Sequence, residues 1–218
     1  MKLGAIFDMD GVLVDSSEAH HASWSRLGDE VGTPFPRALF DRTFGMHNNQ
    51  IIPMWLGDVP PDQIERLGLR KEELYRASPP HLLRALPGAQ ALVTALATDG
   101  WRLAVASSGP RANVALILRL LDLENAFHFL ATGDDVTHGK PHPEVFLKAM
   151  AGLALAPTAC AVIEDAPQGV EAGLAAGAAV LAVTSTRPAA DLAQAHGVVS
   201  SLEEVTPASL ADLVRIRT

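Results

Sequence analysis

At 218 residues the chain is long enough for one large domain with a real core, or for a core domain carrying a smaller inserted one. A composition of 48% hydrophobic and 19% charged residues, with Gly and Pro scattered rather than clustered, excludes a disordered or fibrous chain. The formal net charge of -8 argues against a nucleic-acid binder, whose affinity rests on Lys and Arg displacing condensed counterions.

The chain opens with Lys2 and a short apolar stretch that Asp8 cuts off, which is too short for a signal peptide or a membrane span. No later segment reaches spanning length without a charge, so a soluble, cytoplasmic protein is expected. The stretch Leu3 to Phe7 reads as a first strand, followed by Asp8-Met9-Asp10-Gly11. Two carboxylates this close repel unless a cation bridges them, and if Gly11 turns the chain sharply both reach one site. An all-oxygen ligand set favours Mg²⁺.

Roughly ninety residues separate this strand from the next, far more than a single crossover helix needs, so an insertion is expected. It opens with a helix signalled by Asp15-Ser16-Ser17-Glu18, a capping side chain with Glu three positions on, and ends near Val31-Gly32. Further helical stretches run around Asn48 to Leu56 and Pro61 to Ala77. The chain returns through Ser78-Pro79-Pro80, and Pro87-Gly88 starts a helix running toward Asp99-Gly100. The predicted division is a core of residues 1–14 and 81–218 with a helical cap at 15–80.

Beyond the insertion, apolar runs at Leu103 to Ala106, Phe129 to Thr132, Ala161 to Ile163 and Val180 to Val183 read as strands alternating with helices. This predicts an α/β fold, a doubly wound parallel sheet with helices on both faces. In such sheets ligands sit beyond the carboxyl ends of the strands. The residues there are Ser107-Ser108-Gly109, a loop leading to Lys140, and Glu164-Asp165. Gly169, Gly173 and Gly177 recur every fourth residue and read as a helix face packed close against the sheet. Cys160 is the single cysteine, so no internal disulfide forms, and it reads as a small core residue. His138 and His142 read as loop residues without a convincing geometry for a transition metal.

Phe7-Asp8-Met9-Asp10-Gly11-Val12-Leu13-Val14-Asp15-Ser16 resembles the first signature of the haloacid dehalogenase superfamily, in the branch of β-phosphoglucomutase and sugar-phosphate phosphatases. Val105-Ala106-Ser107-Ser108, Gly139-Lys140-Pro141-His142-Pro143-Glu144 and Ile163-Glu164-Asp165-Ala166-Pro167-Gln168-Gly169 resemble the remaining signatures, in the family's order. The resemblance covers nearly the whole chain and implies a Rossmann-like core with a helical cap. It departs in Ala166, where many relatives have Ser, which removes a hydroxyl but no metal ligand.

The resemblance implies roles. Asp8 is the expected nucleophile, and Asp10 the acid and base that serves the leaving alcohol and the attacking water. Ser107 is expected to donate to a phosphoryl oxygen and Lys140 to supply a point charge. Asp8, the Asp10 backbone carbonyl, Glu164 and Asp165 are the expected Mg²⁺ shell. Gly11 and Ser108 are expected beside the phosphoryl group. In the cap, His20 and Trp24 share a helix face as in the mutase, and His20 is a candidate for positioning Asp10. Lys71 is a candidate to reach the site mouth, although a solvated helix face is the plainer reading. Gly45, His47 and Asn48 occupy the segment that reads substrates in this branch.

The expected activity is Mg²⁺-dependent hydrolysis of a small phosphomonoester of the sugar phosphate, polyol phosphate or phosphoglycolate type. The expected partner is that metabolite alone, without nucleic acid or membrane, and a monomer is workable. The alternative is a phosphosugar mutase, but the mutase has Arg near the Asn48 position to hold a second phosphate. Dehalogenases lack the second aspartate, and a phosphonatase needs a cap lysine that the Gly45 segment does not have. A phospho-accepting receiver module also uses strand-end carboxylates and Mg²⁺, but the inserted cap and Asp10 favour turnover. A dinucleotide-binding domain is excluded because no G-x-G-x-x-G follows the first strand.

Overall fold

The computed structural model describes residues 2–216. In chain order it contains β1 (Gly4–Phe7), β2 (Val14–Asp15), α1 (Ser17–Val31), α2 (Arg37–Thr43), α3 (Asn48–Leu56), α4 (Pro61–Arg76), β3 (Arg84–Ala85), α5 (Ala89–Thr98) and β4 (Arg102–Ala106). There follow α6 (Arg111–Leu120), β5 (Phe129–Ala131), α7 (Glu144–Leu153), β6 (Cys160–Glu164), α8 (Pro167–Ala175), β7 (Ala179–Val183), β8 (Gly197–Val199) and α9 (Pro207–Ile216). Asp15–Arg84 forms one compact unit, and the chain on either side of it forms another. The second crossing falls at Arg84, past the Pro79-Pro80 step, because a 3-10 turn at Pro80–Leu82 precedes β3, which pairs with β2 in a two-stranded ribbon.

The larger unit is built on a six-stranded sheet in the order β5-β4-β1-β6-β7-β8, all neighbours parallel. Every residue of β1, β6 and β7 is buried, as expected of strands covered by helices on both faces, where continuous apolar runs replace alternation. Helix α7 buries Val145, Phe146, Ala149, Met150 and Leu153, a helical stripe against the sheet. The strand order reverses at β1, with β4 and β5 on one side and β6 to β8 on the other, so the crevice of this fold lies at the carboxyl end of β1. Phe7 pairs in register with Val105 and Ile163, which brings Asp8, Ser107 and Glu164 to one sheet edge.

Gly169 and Gly173 are close-approach glycines: an added Cβ would strike the Glu164 carboxylate at the first and Val180 at 2.9 Å at the second. Gly177 lies beyond α8 and serves a different need, a left-handed turn with φ 81°. Cys160 is buried, and burial raises its thiol pKa to about 11, as befits a core residue.

The smaller unit packs α1 along α4 and α3 against α4 around a core containing Trp24, Leu27, Phe35 and Phe40. Trp24 stacks on Phe35 with ring centroids 4.7 Å apart. Helix α1 ends at Gly32 in the left-handed conformation, as expected, but its start differs. Ser16 is the N-cap without a side-chain capping bond, and Glu18 pairs with Arg37 at 2.9 Å instead of closing a capping box. Among the described residues, no helix is long and apolar enough to cross a membrane.

Candidate active site

The loop after β1 is tied to itself. Leu13 and Val14 donate to the Met9 carbonyl at 2.9 and 3.1 Å, and Gly11 N–H donates to the Val14 carbonyl at 2.8 Å. Gly11 has φ 81°, and a Cβ there would run into the Asp165 carboxylate, so only glycine lets the loop lie this close. Its carbonyl accepts from the Ser185 hydroxyl. Gly11 therefore shapes the site through its backbone.

Asp8 N–H donates to the Ile163 carbonyl at 3.0 Å, which extends the sheet pairing by one residue and fixes the Asp8 backbone at the edge of β6. Lys140 Nζ lies 2.6 Å from both Asp8 Oδ1 and Glu164 Oε1, and 3.3 Å from the Ala106 carbonyl. All three donors of the ammonium are thereby used, and the aliphatic stem is buried with its charge 4.8 Å above the Phe146 ring. The second Glu164 oxygen, Oε2, accepts from the Asp165 and Ala166 N–H groups at 2.8 and 3.0 Å. That carboxylate caps the turn into α8, which begins at Pro167, a residue suited to the first helical position. Thr186 donates to the Asp165 carboxylate and orients it.

Ligand oxygens of Asp8, Glu164 and Asp165 lie within 4.8 Å of one another, and all three residues are buried. One ammonium faces three carboxylates, so the cluster carries excess negative charge. Burial, reduced by Lys140 and reinforced by Glu164 and Asp10, pushes Asp8 up to about 7. Burial and the neighbouring Glu164 and Asp8 carboxylates raise Asp165 well above its usual range. Burial also works against the Lys140 ammonium, yet Asp8 and Glu164 outweigh it and raise its pKa.

These observations fit a hard divalent cation: an all-oxygen donor set, close spacing, and two acids, Asp8 and Asp165, whose ionisation added positive charge would favour. Asp8 and Asp165 are the available carboxylates, since Glu164 has both oxygens engaged as an anchor for Lys140 and the α8 turn.

Ser107 is buried at the end of β4, where its hydroxyl accepts from Gly109 N–H at 3.0 Å and keeps its proton for another acceptor. Ser108 follows, half-buried, with its carbonyl against Gly133, where a Cβ would collide with it. Asp10 is half-buried on the Gly11 turn, bridged to Val14, and its charge contributes to the raised Asp8 pKa.

Three of the candidate residues of the smaller unit, His20, Asn48 and Lys71, form a cluster around Glu72. Lys71 is buried rather than on a solvated face: its Nζ donates to His20 Nδ1 at 2.7 Å and to Glu72 Oε1 at 2.9 Å, and lies 5.6 Å from the Trp24 ring. His20 is half-buried and stacks on Tyr75, centroids 4.1 Å apart. Asn48 Nδ2 donates to Glu72 Oε1 at 2.7 Å. Burial opposes ionisation of Glu72, but Lys71 and the hydrogen bonds from Lys71 and Asn48 outweigh it and hold its pKa at about 2. His47 is the N-cap of α3, and its N–H donates to Gln50 Oε1 at 3.3 Å. Gly45, exposed with φ 90°, turns the segment that precedes it.

Sequence reasoning missed Ser185, Thr186 and Glu72. The first two follow β7, a strand that was anticipated, so the rule that strand ends carry function already pointed to them.

The haloacid dehalogenase-like hydrolase family matches residues 5–183. A chloroplastic 5-amino-6-(5-phospho-D-ribitylamino)uracil phosphatase of Arabidopsis thaliana is 32% identical over 98% of this chain, which spans 57% of that relative's length. Hexitol phosphatase A of Escherichia coli K12 is 33% identical, with 93% of each chain covered. A solved β-phosphoglucomutase from Clostridium difficile shares the fold with TM-score 0.88 at 23% identity, covering 99% of this chain and 98% of its own.

Proposed function

The chain belongs to the haloacid dehalogenase-like hydrolase family, and on that premise we propose that it hydrolyses a small phosphomonoester through a phosphoaspartyl intermediate on Asp8. The substrate class is a sugar phosphate, polyol phosphate or phosphoglycolate. The observation that carries the reading is the buried ion cluster: Asp8 held 2.6 Å from Lys140, with the Asp165 and Glu164 oxygens inside the same 4.8 Å neighbourhood.

Asp8 attacks phosphorus with one carboxylate oxygen, and the bond to the leaving oxygen breaks as Asp10 gives that oxygen its proton. Asp10, now ionised, takes a proton from water as the water oxygen attacks the same phosphorus, and the Asp8 carboxylate is released. Lys140 neutralises charge on the transferring group and keeps the Asp8 oxygen aimed, while Ser107 donates to a phosphoryl oxygen. Mg²⁺, held by Asp8, the Asp10 carbonyl and Asp165 with Glu164 behind them, would supply the positive charge that keeps Asp8 ionised and offsets the phosphoryl oxygens. In the cap, Gly45 and His47 are the residues we propose for substrate selection, whereas Lys71, Asn48 and His20 are engaged with Glu72 and Tyr75 and hold the cap itself together.

Hydrolysis is favoured over mutase transfer by the charge balance of the cap. Position 48 is Asn, with its amide engaged by Glu72, and the Lys71 ammonium is already matched by that carboxylate. Little positive charge is left there to hold a second phosphate.

The test is a panel of phosphorylated sugars, polyols and small acids, with phosphate release scored by kcat/KM. Release that needs Mg²⁺, stops with EDTA and is greatest for a monophosphate supports the reading. Catalysed isomerisation of a sugar phosphate without net phosphate release would replace it with the mutase.

A further inference from the structure

The loop that delivers Lys140 carries two imidazoles on its outer side. His138 and His142 are exposed, with ring centroids 4.7 Å apart and planes tilted by 38°. Glu144 opens α7 beside them. Its carboxylate is oriented by the backbone, accepting from Thr137 N–H at 3.1 Å and His138 N–H at 3.0 Å, and Glu144 Oε2 also lies 3.2 Å from His138 Nδ1. One ligand atom from each of the three side chains lies within 4.8 Å of the other two. The histidines are loop residues, as the sequence reads them, and the turn at Gly139–His142 folds that loop back and brings their rings together, with His142 N–H donating to the Gly139 carbonyl at 3.0 Å.

We infer that His138, His142 and Glu144 form a second metal site, selective for Zn²⁺ or a similar imidazole-binding divalent ion.

Two nitrogens and one carboxylate make up a donor set that suits Zn²⁺, Ni²⁺ or Cu²⁺ and discriminates against Mg²⁺, the reverse of the oxygen-only cluster at Asp8. Three protein ligands leave a coordination position for water. Tetrahedral ligands at about 2.1 Å from zinc stand about 3.4 Å apart, so rotation of exposed side chains suffices to close the site. Backbone donors that hold a ligating carboxylate do the work of an outer ligand shell. The Lys148 ammonium, 3.8 Å from Glu144 Oε1, is the competing cation and is half-exposed, so it is readily displaced. Both histidines lie two residues from Lys140, one on each side, so the bound ion closes a ring around the residue that reaches Asp8 and stiffens that loop.

The test is calorimetric titration of Zn²⁺ into the whole protein with Mg²⁺ in large excess, on the wild type, His138→Ala, His142→Ala and Asp165→Asn, each checked for its fold by circular dichroism. The wild type and Asp165→Asn should each bind one Zn²⁺ that both histidine variants weaken by at least about tenfold. Because both histidines are exposed, their loss leaves the fold intact. Absence of Zn²⁺ binding in the wild type, full binding in both histidine variants, or loss of that binding only in Asp165→Asn would each overturn the inference. These readouts do not depend on which phosphomonoester is cleaved.

Discussion

Two buried ion clusters in this molecule are made of similar parts and titrate in opposite directions. In the core, Lys140 faces Asp8, Glu164 and Asp165, and Asp8 is pushed up to about 7. In the cap, Lys71 pairs with Glu72 at 2.9 Å beside His20, and Glu72 is held at about 2. The stoichiometry explains the difference. A one-to-one pair with Asn48 and His20 around it is electrostatically closed, whereas three acids sharing one ammonium are left wanting a cation. A cluster that is incomplete on its own is where chemistry requiring an added ion belongs, and a closed one is a scaffold.

The sharpest way to break this contrast is to remove one acid from each cluster. Asp8→Asn should lower turnover by at least about 10⁴-fold while the protein stays folded, because it removes the attacking oxygen. Steady-state kinetics with Mg²⁺ decide this, and substantial remaining activity would take the nucleophile's role from Asp8. Removing the shared cation comes next. Lys140→Met should cost about 10²–10³-fold in kcat and lower the thermal midpoint of the metal-free protein, which then holds three acids with no ammonium. A variant melting at the wild-type temperature in EDTA would contradict the excess-charge picture.

A smaller effect is expected behind the acids. Thr186→Val removes the hydroxyl that orients Asp165 and should raise the Mg²⁺ concentration for half-maximal activity by about 10–100-fold with a smaller change in kcat at saturation. The smallest catalytic effect is expected in the closed cluster. Glu72→Gln should change kcat less than tenfold but cost about 3 kcal/mol of stability at neutral pH, since it strands Lys71.

The pH dependence separates the clusters by sign. Glu72 falls from its ordinary 4.5 to about 2 on folding, so its contribution is complete above about 4.5 and is lost as pH falls toward 2. Asp8 rises from 3.8 to about 7, so with EDTA present its ionisation subtracts stability as pH climbs from about 4 to 7. Thermal melts against pH should lose the first slope in Glu72→Gln and show a shallower second one in Asp8→Asn, where the raised Asp165 still contributes.

Much of this was legible in the sequence, and what was not has physical reasons. Asp8, Ser107, Glu164 and Asp165 could be read because each follows a continuous apolar run, and in a parallel sheet those ends share one edge. The edge strand β8 was missed because Gly197–Val199 is three residues long and only half-buried, leaving no apolar run to see. Helix α2 spans seven residues and was passed over for the same reason. The Lys71–Glu72 pair was unreadable from spacing, because adjacent helix positions do not face each other. It forms because Asn48, twenty-four residues earlier, draws the Glu72 carboxylate back while Lys71 is sandwiched near Trp24 and Tyr75.

The central claim is that the overloaded acid cluster exists to make Asp8 a phosphoryl acceptor. Rapid acid quenching during turnover of a good phosphomonoester, followed by peptide mass analysis, tests it most directly. The account predicts one added phosphoryl group on the peptide containing Asp8, present with Mg²⁺ and absent with EDTA or in Asp8→Asn. Turnover accompanied by a phosphoryl group on another residue would contradict it.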